Sequence, residues 1–173
     1  LDIDDSLRDA TIKISGCPNS CGQHEIATIG FFGGATRMNN TMTPTYTMLF
    51  GGSAGEAGEL GRAVMRVPAK RVIDTTLKII ELYKNEGTTA ATTTAAGGDG
   101  DSHDDHHESL HQWIIRLIKG QGSGSIKNLE DMKAALAQVV QLPSSPQQDP
   151  DAYRDYGSDS NFTAKTARGE CAA

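Results

Sequence analysis

The chain has 173 residues, 37% of them hydrophobic, and a formal net charge of −6. This length suits one domain with a modest core, and the composition excludes collagen-like and wholly disordered classes. The negative charge argues against a general affinity for nucleic acid, and no apolar run approaches the roughly 20 residues of a membrane helix. Three cysteines are too few for a disulfide scaffold, so we expect a cytoplasmic protein.

Four segments rich in β-forming residues open the chain. They predict strands over residues 10–14, 25–32, 46–50 and 63–67, and the first three stop at glycines. A helix is predicted to follow, with Pro68 in its first turn, where a missing N–H has no cost. The apolar stripe of this helix comprises Val72, Ile73, Leu77, Ile80 and Tyr83.

Two more amphipathic helices are predicted in the second half of the chain. The first is marked by Leu110, Trp113, Ile114, Leu117 and Ile118, and the second by Leu129, Met132, Leu136, Val139 and Val140. Trp113 lies on the apolar stripe and is predicted to be a core residue. Because strands come first and helices later, the predicted fold class is α+β, a two-layer mixed sheet with helices packed on one face.

Composition divides the chain into four parts. Residues 1–86 are predicted to form the main half-domain, 87–107 a flexible insertion, 108–142 a helical continuation of the same domain, and 143–173 an extended tail. The insertion has no large apolar residue to bury, so it cannot offset the entropy of ordering itself. Its three histidines among acidic residues are also the residue types of a divalent-metal site, but we interpret them as a solvated linker.

The chemistry of the chain concentrates in residues 16–23, which read Gly-Cys-Pro-Asn-Ser-Cys-Gly-Gln. Cys17 and Cys21 stand four apart just after a predicted strand, so both thiolates can turn toward one point. Pro18 fixes one backbone angle, and the glycines let the chain approach a bulky inorganic group. Such a pair suits iron–sulfur or zinc ligation, which both need about four ligands. A redox disulfide and inert structural thiols are the alternatives.

This segment resembles the second cysteine motif of the sirohaem-dependent nitrite and sulfite reductases. The likeness continues through Ala-Thr-Ile-Gly-Phe-Phe-Gly at residues 27–33 and Tyr-Thr-Met-Leu-Phe-Gly-Gly at residues 46–52. A looser similarity follows in Val-Pro-Ala-Lys-Arg-Val at residues 67–72, in the helix that ends at Tyr83, and in Glu-Ser-Leu-His-Gln-Trp at residues 108–113.

The resemblance implies two coupled cofactors. In this family four cysteines, in a Cys-x5-Cys and a later Cys-x3-Cys, hold a 4Fe-4S cluster, and the last of them also bridges to the sirohaem iron. Cys17 then corresponds to a cluster ligand, Cys21 to a ligand and the bridge, and Asn19 to a hydrogen-bond donor beside both groups. The further residues assigned to cofactor binding are Gly22, Gln23, Gly51 and Gly52.

The implied activity is the six-electron reduction of sulfite to sulfide or of nitrite to ammonia, with ferredoxin or a flavoprotein as electron donor. The Cys-x5-Cys half and the family's anion-binding Arg and Lys residues are absent, and no basic residue lies between Lys13 and Arg37. The third cysteine, Cys171, stands in a polar tail, and the chain begins at Leu1 without an initiator methionine. We therefore expect the C-terminal portion of such an enzyme, inactive by itself. The alternative is a stand-alone iron–sulfur or zinc module that serves binding or electron transfer, without its own catalysis.

Overall fold

One mixed sheet organises the fold. A computed structural model describes residues 5–55, 58–87 and 108–163 of the protein. The strands lie across the sheet in chain order, as β1 (Ile12–Ser15), β2 (Ile29–Met38), β3 (Thr41–Phe50) and β4 (Arg62–Pro68). β1 runs parallel to β2, whereas the β2–β3 and β3–β4 pairs are antiparallel. The predicted mixed sheet is thereby confirmed.

The hairpin between β2 and β3 is longer than the sequence predicts. Asn39 and Asn40 both have positive φ, at 46° and 62°, and Met38 pairs with Thr41 across them. Two left-handed residues in a two-residue loop are the geometry of a type I′ turn, whose twist suits antiparallel strands. β3 therefore begins directly after this turn rather than at residue 46, where the predicted strand starts.

The predicted strand over residues 25–32 is wrong in its first half. His24–Ile26 forms a 3-10 turn, and β2 starts only after two further residues. β2 then continues through Gly33 and Gly34, where a strand end is predicted. Both glycines pair with β3. Gly33 also lies against the backbone of Gly16, so glycine is needed at this position for close packing and not for a turn.

Three helices follow the sheet in the chain, which confirms the α+β fold class. They are α1 (Val72–Glu86), α2 (Leu110–Ile118) and α3 (Leu129–Val140). α2 starts with a capping box, in which Ser109 and Gln112 each accept a hydrogen bond from the other's backbone N–H. The insertion predicted between α1 and α2 lies, from residue 88 on, outside the described residues. Within the described part of the chain, none of the helices has the length and apolar character needed to cross a membrane.

α1 differs from its prediction in its start and in the face that it buries. Pro68 ends β4, and a 3-10 turn, Ala69–Arg71, separates it from the helix. Ile73 and Leu77 of the predicted stripe are exposed, at 58% and 49%. The buried residues of α1 are Val72, Thr75, Thr76, Ile79 and Tyr83. The Thr76 hydroxyl donates to the Val72 carbonyl, one turn earlier in α1, at 2.8 Å, so this buried polar group has a hydrogen-bond partner within the helix.

The helices cover one face of the sheet, as predicted. Alternate residues of β2 and β3 form the sheet side of the core, namely Ile29, Phe31, Met48 and Phe50. The residues that α2 and α3 add include Trp113, Ile114, Leu117, Met132 and Leu136. Trp113 is fully buried, which confirms it as a core residue. On the same face of β1, Ile12 and Ile14 remain 46% and 51% exposed, so the helical layer stops short of this edge strand.

Residues 143–163 form a tail that contains no helix or strand apart from a 3-10 turn, Asp151–Tyr153. Tyr153 is nevertheless buried, in a small apolar cluster with Leu142. The Asn39 side chain at the β2–β3 turn donates to the Tyr153 hydroxyl at 2.6 Å. The middle of this otherwise irregular tail is therefore docked on the end of the hairpin.

Candidate metal centre

The two cysteines of the motif lie on a loop of residues 16–23, here called the cysteine loop, which joins β1 to the 3-10 turn. Cys17 is partly exposed, Cys21 is exposed, and both are free thiols. Asn19 and Gln23 of the same loop are exposed as well. Both thiols can therefore be reached from outside the fold.

The second half of the cysteine loop is a tight turn. Ser20 and Gln23 both have positive φ, at 57° and 55°, and the Gln23 N–H donates to the Ser20 carbonyl at 2.7 Å. Non-glycine residues with positive φ are uncommon and persist only where the surrounding structure holds them. Contacts from the rest of the protein must therefore maintain this turn.

Ser15, the last residue of β1, supplies such a contact. Its hydroxyl accepts the Gly22 N–H at 3.1 Å and lies 2.8 Å from Nδ1 of His24. Ser15 and His24 are both buried, at 5% and 1% exposure. Neither Ser15 nor His24 is among the predicted site residues, and the only signal in the sequence is their position directly before and after the motif.

His24 determines the sheet face on which the cysteine loop lies. Its carbonyl oxygen occupies the space that a Cβ of Gly30 would need, and its ring contacts the Phe32 ring at 4.9 Å between centroids. Gly30 and Phe32 alternate along β2 with Ile29 and Phe31, whose side chains face the helices. The cysteine loop and the helical layer therefore lie on opposite faces of the sheet.

The alternation of β1 matches this two-sided arrangement. Ile12 and Ile14 point to the helical side, whereas Lys13 and Ser15 point to the cysteine loop. Nζ of Lys13 donates to Oε1 of Gln23 at 3.0 Å. The fold returns Gln23, the last residue of the motif, to Lys13, which precedes the motif by three residues. A cation therefore lies beside the end of the cysteine loop.

The two glycines of the cysteine loop serve different purposes. A Cβ at Gly22 would overlap the Ile14 carbonyl oxygen and lie 2.9 Å from the Ser15 hydroxyl oxygen, so packing requires glycine there. A Cβ at Gly16 would meet nothing within 4 Å. The space beside Gly16, next to Cys17, is therefore compatible with the close approach of a bulky group.

Gly51 and Gly52 are buried just after β3. Gly51 has a φ of 80°, and a Cβ there would approach the Ile115 side chain of α2 to 3.1 Å. A Cβ at Gly52 would overlap the Glu25 carbonyl oxygen, in the turn that follows the cysteine loop. These contacts within the protein account for glycine at both positions, and their role in cofactor binding stays a prediction.

The donor set of the cysteine loop suits a soft metal centre. Thiolates are the ligands of iron–sulfur clusters and of many zinc sites, which take about four of them. Within residues 5–55, 58–87 and 108–163, no three His, Cys, Asp or Glu side chains come together as a metal site. Cys171 and the three histidines of the predicted insertion lie outside these ranges. Cys17 and Cys21 therefore fit half of the ligand set of a 4Fe-4S cluster.

Comparison with known proteins identifies the family. Residues 8–115 match the family model described as "Nitrite and sulphite reductase 4Fe-4S domain". The match contains the whole sheet and the cysteine loop, and it spans more than half of the chain. The chain therefore belongs to the nitrite and sulphite reductase 4Fe-4S domain family. Membership of this family implies a 4Fe-4S cluster and sirohaem as cofactors.

The relatives with similar sequences are ferredoxin–nitrite reductases. The enzyme of Leptolyngbya laminosa is 39% identical over 59 residues, which are 34% of this chain and 12% of that protein. The chloroplastic enzyme of Pinus sylvestris is 35% identical over 68 residues, which are 38% of this chain and 65% of that sequence. The structure of the Mycobacterium tuberculosis NirA protein, 21% identical, superposes with a TM-score of 0.49 over 76% of this chain and 19% of that one.

Proposed function

We propose that this chain is the part of a nitrite reductase that supplies two cysteine ligands, Cys17 and Cys21, to the 4Fe-4S cluster. One observation carries the proposal: the family's cysteine pair is accessible on a loop whose backbone is tied to the sheet through Ser15. Accessibility lets both thiolates meet a cluster that is also held by ligands from elsewhere. The tied backbone limits the motion that would weaken binding.

Within this site we assign Cys17 to the cluster alone and Cys21 to both the cluster and the sirohaem iron. Asn19, exposed between them in the loop, is proposed as a hydrogen-bond donor to the two groups. The cluster supplies one-electron transfer, and the sirohaem supplies the iron at which the anion is reduced. Lys13 donates a hydrogen bond to Gln23, the last residue of the loop, and so brings a positive charge to that end of the loop.

We propose nitrite as the substrate and ferredoxin as the electron donor, in preference to sulfite and a flavoprotein. The support is the names of the relatives, which are ferredoxin–nitrite reductases. Because the chain spans 12% of the Leptolyngbya enzyme, the other two cluster ligands and the anion-binding residues are proposed to lie outside the described residues. A reducing compartment such as the cytoplasm suits the free thiols of the cysteine loop.

Substitution of each cysteine tests the proposal in the nitrite reductase that contains this chain. Cys17→Ser and Cys21→Ser are expected to lose most of the iron and acid-labile sulfide, because a hydroxyl is a poor ligand for this soft site. Cys21→Ser is also expected to abolish nitrite reduction by reduced ferredoxin. Cys171→Ser is the matched control, with the same atom changed outside the family motif, and should keep its iron. Near-normal iron and turnover in Cys21→Ser would refute the assignment.

A further inference from the structure

We propose that Ser15 and His24 are positioning residues for Cys21, because together they fix the peptide unit that joins Cys21 to Gly22. They act through the backbone and are not ligands themselves. The inference rests on the proposed function, in which Cys21 is a cluster ligand, and it adds two residues that the family motif does not contain.

The Ser15 hydroxyl serves two partners. The Gly22 N–H can only donate, so the Ser15 oxygen accepts that hydrogen bond, at 3.1 Å. The hydroxyl proton or the second lone pair of Ser15 then serves Nδ1 of His24, at 2.8 Å. In either tautomer of the imidazole, His24 therefore keeps the Ser15 oxygen turned toward the Gly22 amide.

The Gly22 amide belongs to the planar peptide unit that begins at the Cα of Cys21. Holding this N–H therefore sets the peptide plane, and with it the direction in which the Cys21 side chain leaves the loop. The unit lies between Ser20 and Gln23, the two residues of the cysteine loop with positive φ. Such a backbone conformation relaxes unless surrounding contacts hold it. The hydrogen bond from the Gly22 N–H to Ser15, which lies outside the loop, is such a contact.

The anchor belongs to the sheet rather than to the loop. Ser15 ends β1 and pairs with Phe32 of β2, whose ring also contacts the His24 ring. The His24 backbone packs over Gly30, and its side chain is only 1% exposed. The peptide between Cys21 and Gly22 is therefore held in a fixed position relative to the paired strands β1 and β2.

Two pairs of variants separate the hydrogen bonds from the packing. Ser15→Ala removes the acceptor of the Gly22 amide, whereas Ser15→Thr retains a hydroxyl. His24→Phe keeps an aromatic ring against Phe32 but has no Nδ1, whereas His24→Asn keeps a polar atom near the Nδ1 position and has no ring. If the hydrogen bonds hold the Cys21–Gly22 peptide in position, the first variant of each pair loses that position and the second variant retains it.

Thr28→Val is the matched control. Thr28 is 2% exposed, and its hydroxyl accepts the Thr11 N–H at 3.1 Å, at the other end of the same β1–β2 connection. Loss of the Thr28 hydroxyl removes a comparable hydrogen bond and leaves the hydrogen bond of the Gly22 amide unchanged. The control therefore reports what general destabilisation of the connection does to the site.

Amide hydrogen exchange at Gly22 in the 173-residue chain gives a readout that needs no metal. Ser15→Ala is expected to speed exchange roughly tenfold, the effect of losing one hydrogen bond, and His24→Phe by a smaller factor. Release of iron to a chelator from the loaded enzyme gives the second readout. Ser15→Ala should release iron about 10–100-fold faster, while Ser15→Thr, His24→Asn and Thr28→Val stay near the wild-type rate.

The outcomes distinguish the inference from the proposed function. An enzyme that holds iron, and releases it at the wild-type rate in Ser15→Ala, overturns the inference and leaves the function of the cysteines intact. Equal acceleration by Thr28→Val also overturns it, because general destabilisation would then suffice. A wild-type enzyme without iron overturns both. If Ser15→Ala does not fold, the His24→Phe and His24→Asn pair provides the same comparison.

Discussion

The carbonyl oxygen of His24 lies against Gly30, in the space that any other residue at this position of β2 would need for its Cβ. This contact sets the path of the connection between the two parallel strands. The chain leaves β1 at Ser15, forms the cysteine loop and returns across the sheet on the side away from the helices. Parallel strands always need such a crossover, which is usually a helix. Here the crossover carries the two cysteines of the motif, Cys17 and Cys21.

Gly30→Ala is predicted to destabilise the protein by about 1–3 kcal/mol, because the new methyl group would collide with backbone that no rotamer change can move. The matched control is Gly34→Ala, on the same face of the same strand, where a Cβ meets nothing within 4 Å. This control should be neutral or slightly stabilising. Urea unfolding of both variants measures the difference, and equal stabilities would contradict the described path of the connection.

The 173-residue chain by itself is predicted to bind less than one 4Fe-4S cluster and to reduce neither nitrite nor sulfite. Two accessible thiolates fall short of the four ligands that such a cluster takes. The half-exposed Ile12 and Ile14 on an edge strand are expected to promote self-association as well. Anaerobic reconstitution with iron and sulfide, an iron count and gel filtration test this. A stable, stoichiometric cluster on a monomer would favour the stand-alone module instead.

Residues 88–106 are predicted to be dispensable for stability and iron binding. The Tyr83 hydroxyl, near the end of α1, donates to the main-chain carbonyl of Glu108, just before α2, so the two helices are joined without this segment. The entropy of loop closure varies only slowly with loop length, so replacing the segment by a short Gly-Ser linker should change it little. The melting temperature and the iron content of the enzyme should stay near wild type.

Tyr83→Phe is the control for that replacement. It removes the hydrogen bond to Glu108 and should lower the free energy of unfolding by about 1 kcal/mol, which is typical for one lost hydrogen bond, while the ring contact between Tyr83 and Trp113 remains. A large loss of iron after the linker replacement, without a loss of stability, would assign a metal-binding role to the histidines of the segment.

Tyr46→Phe is predicted to reduce the loss of stability in alkali. Burial, followed by the nearby charges of Asp155 and Tyr156, raises the pKa of Tyr46 above its ordinary value of 10.0. The folded state therefore keeps this proton when the unfolded state has lost it. The stabilisation is complete below pH 10.0 and is lost as the pH rises through the folded-state pKa.

Urea unfolding at about pH 9 and about pH 11 measures this effect. The wild-type protein should lose more of its free energy of unfolding between the two conditions than Tyr46→Phe does. Asp155→Asn should lie between them, because it removes the second cause of the shift and leaves the burial of the phenol unchanged. Identical losses in all three proteins would show that Tyr46 titrates alike in both states.

Local signals in the sequence predicted the order of elements and the position of the motif. The spacing of Cys17 and Cys21 and their neighbouring Gly and Pro residues are contiguous, so the chemistry of the segment is readable without the fold. The start of α2 is equally local, because Ser109 and Gln112 cap it through hydrogen bonds between near neighbours. The α+β class followed from the order of such segments.

Tertiary structure alone decided which surfaces meet. Helical periodicity predicted an amphipathic α1, but packing in the folded protein buried Thr76 and left Leu77 exposed, because periodicity does not set the rotation of a helix about its axis. The turn of the cysteine loop brought Gly22 and Gln23 back to Ser15 and Lys13 of β1. Such contacts join residues on different elements, and they depend on strand pairing and excluded volume, which no local pattern in the chain encodes.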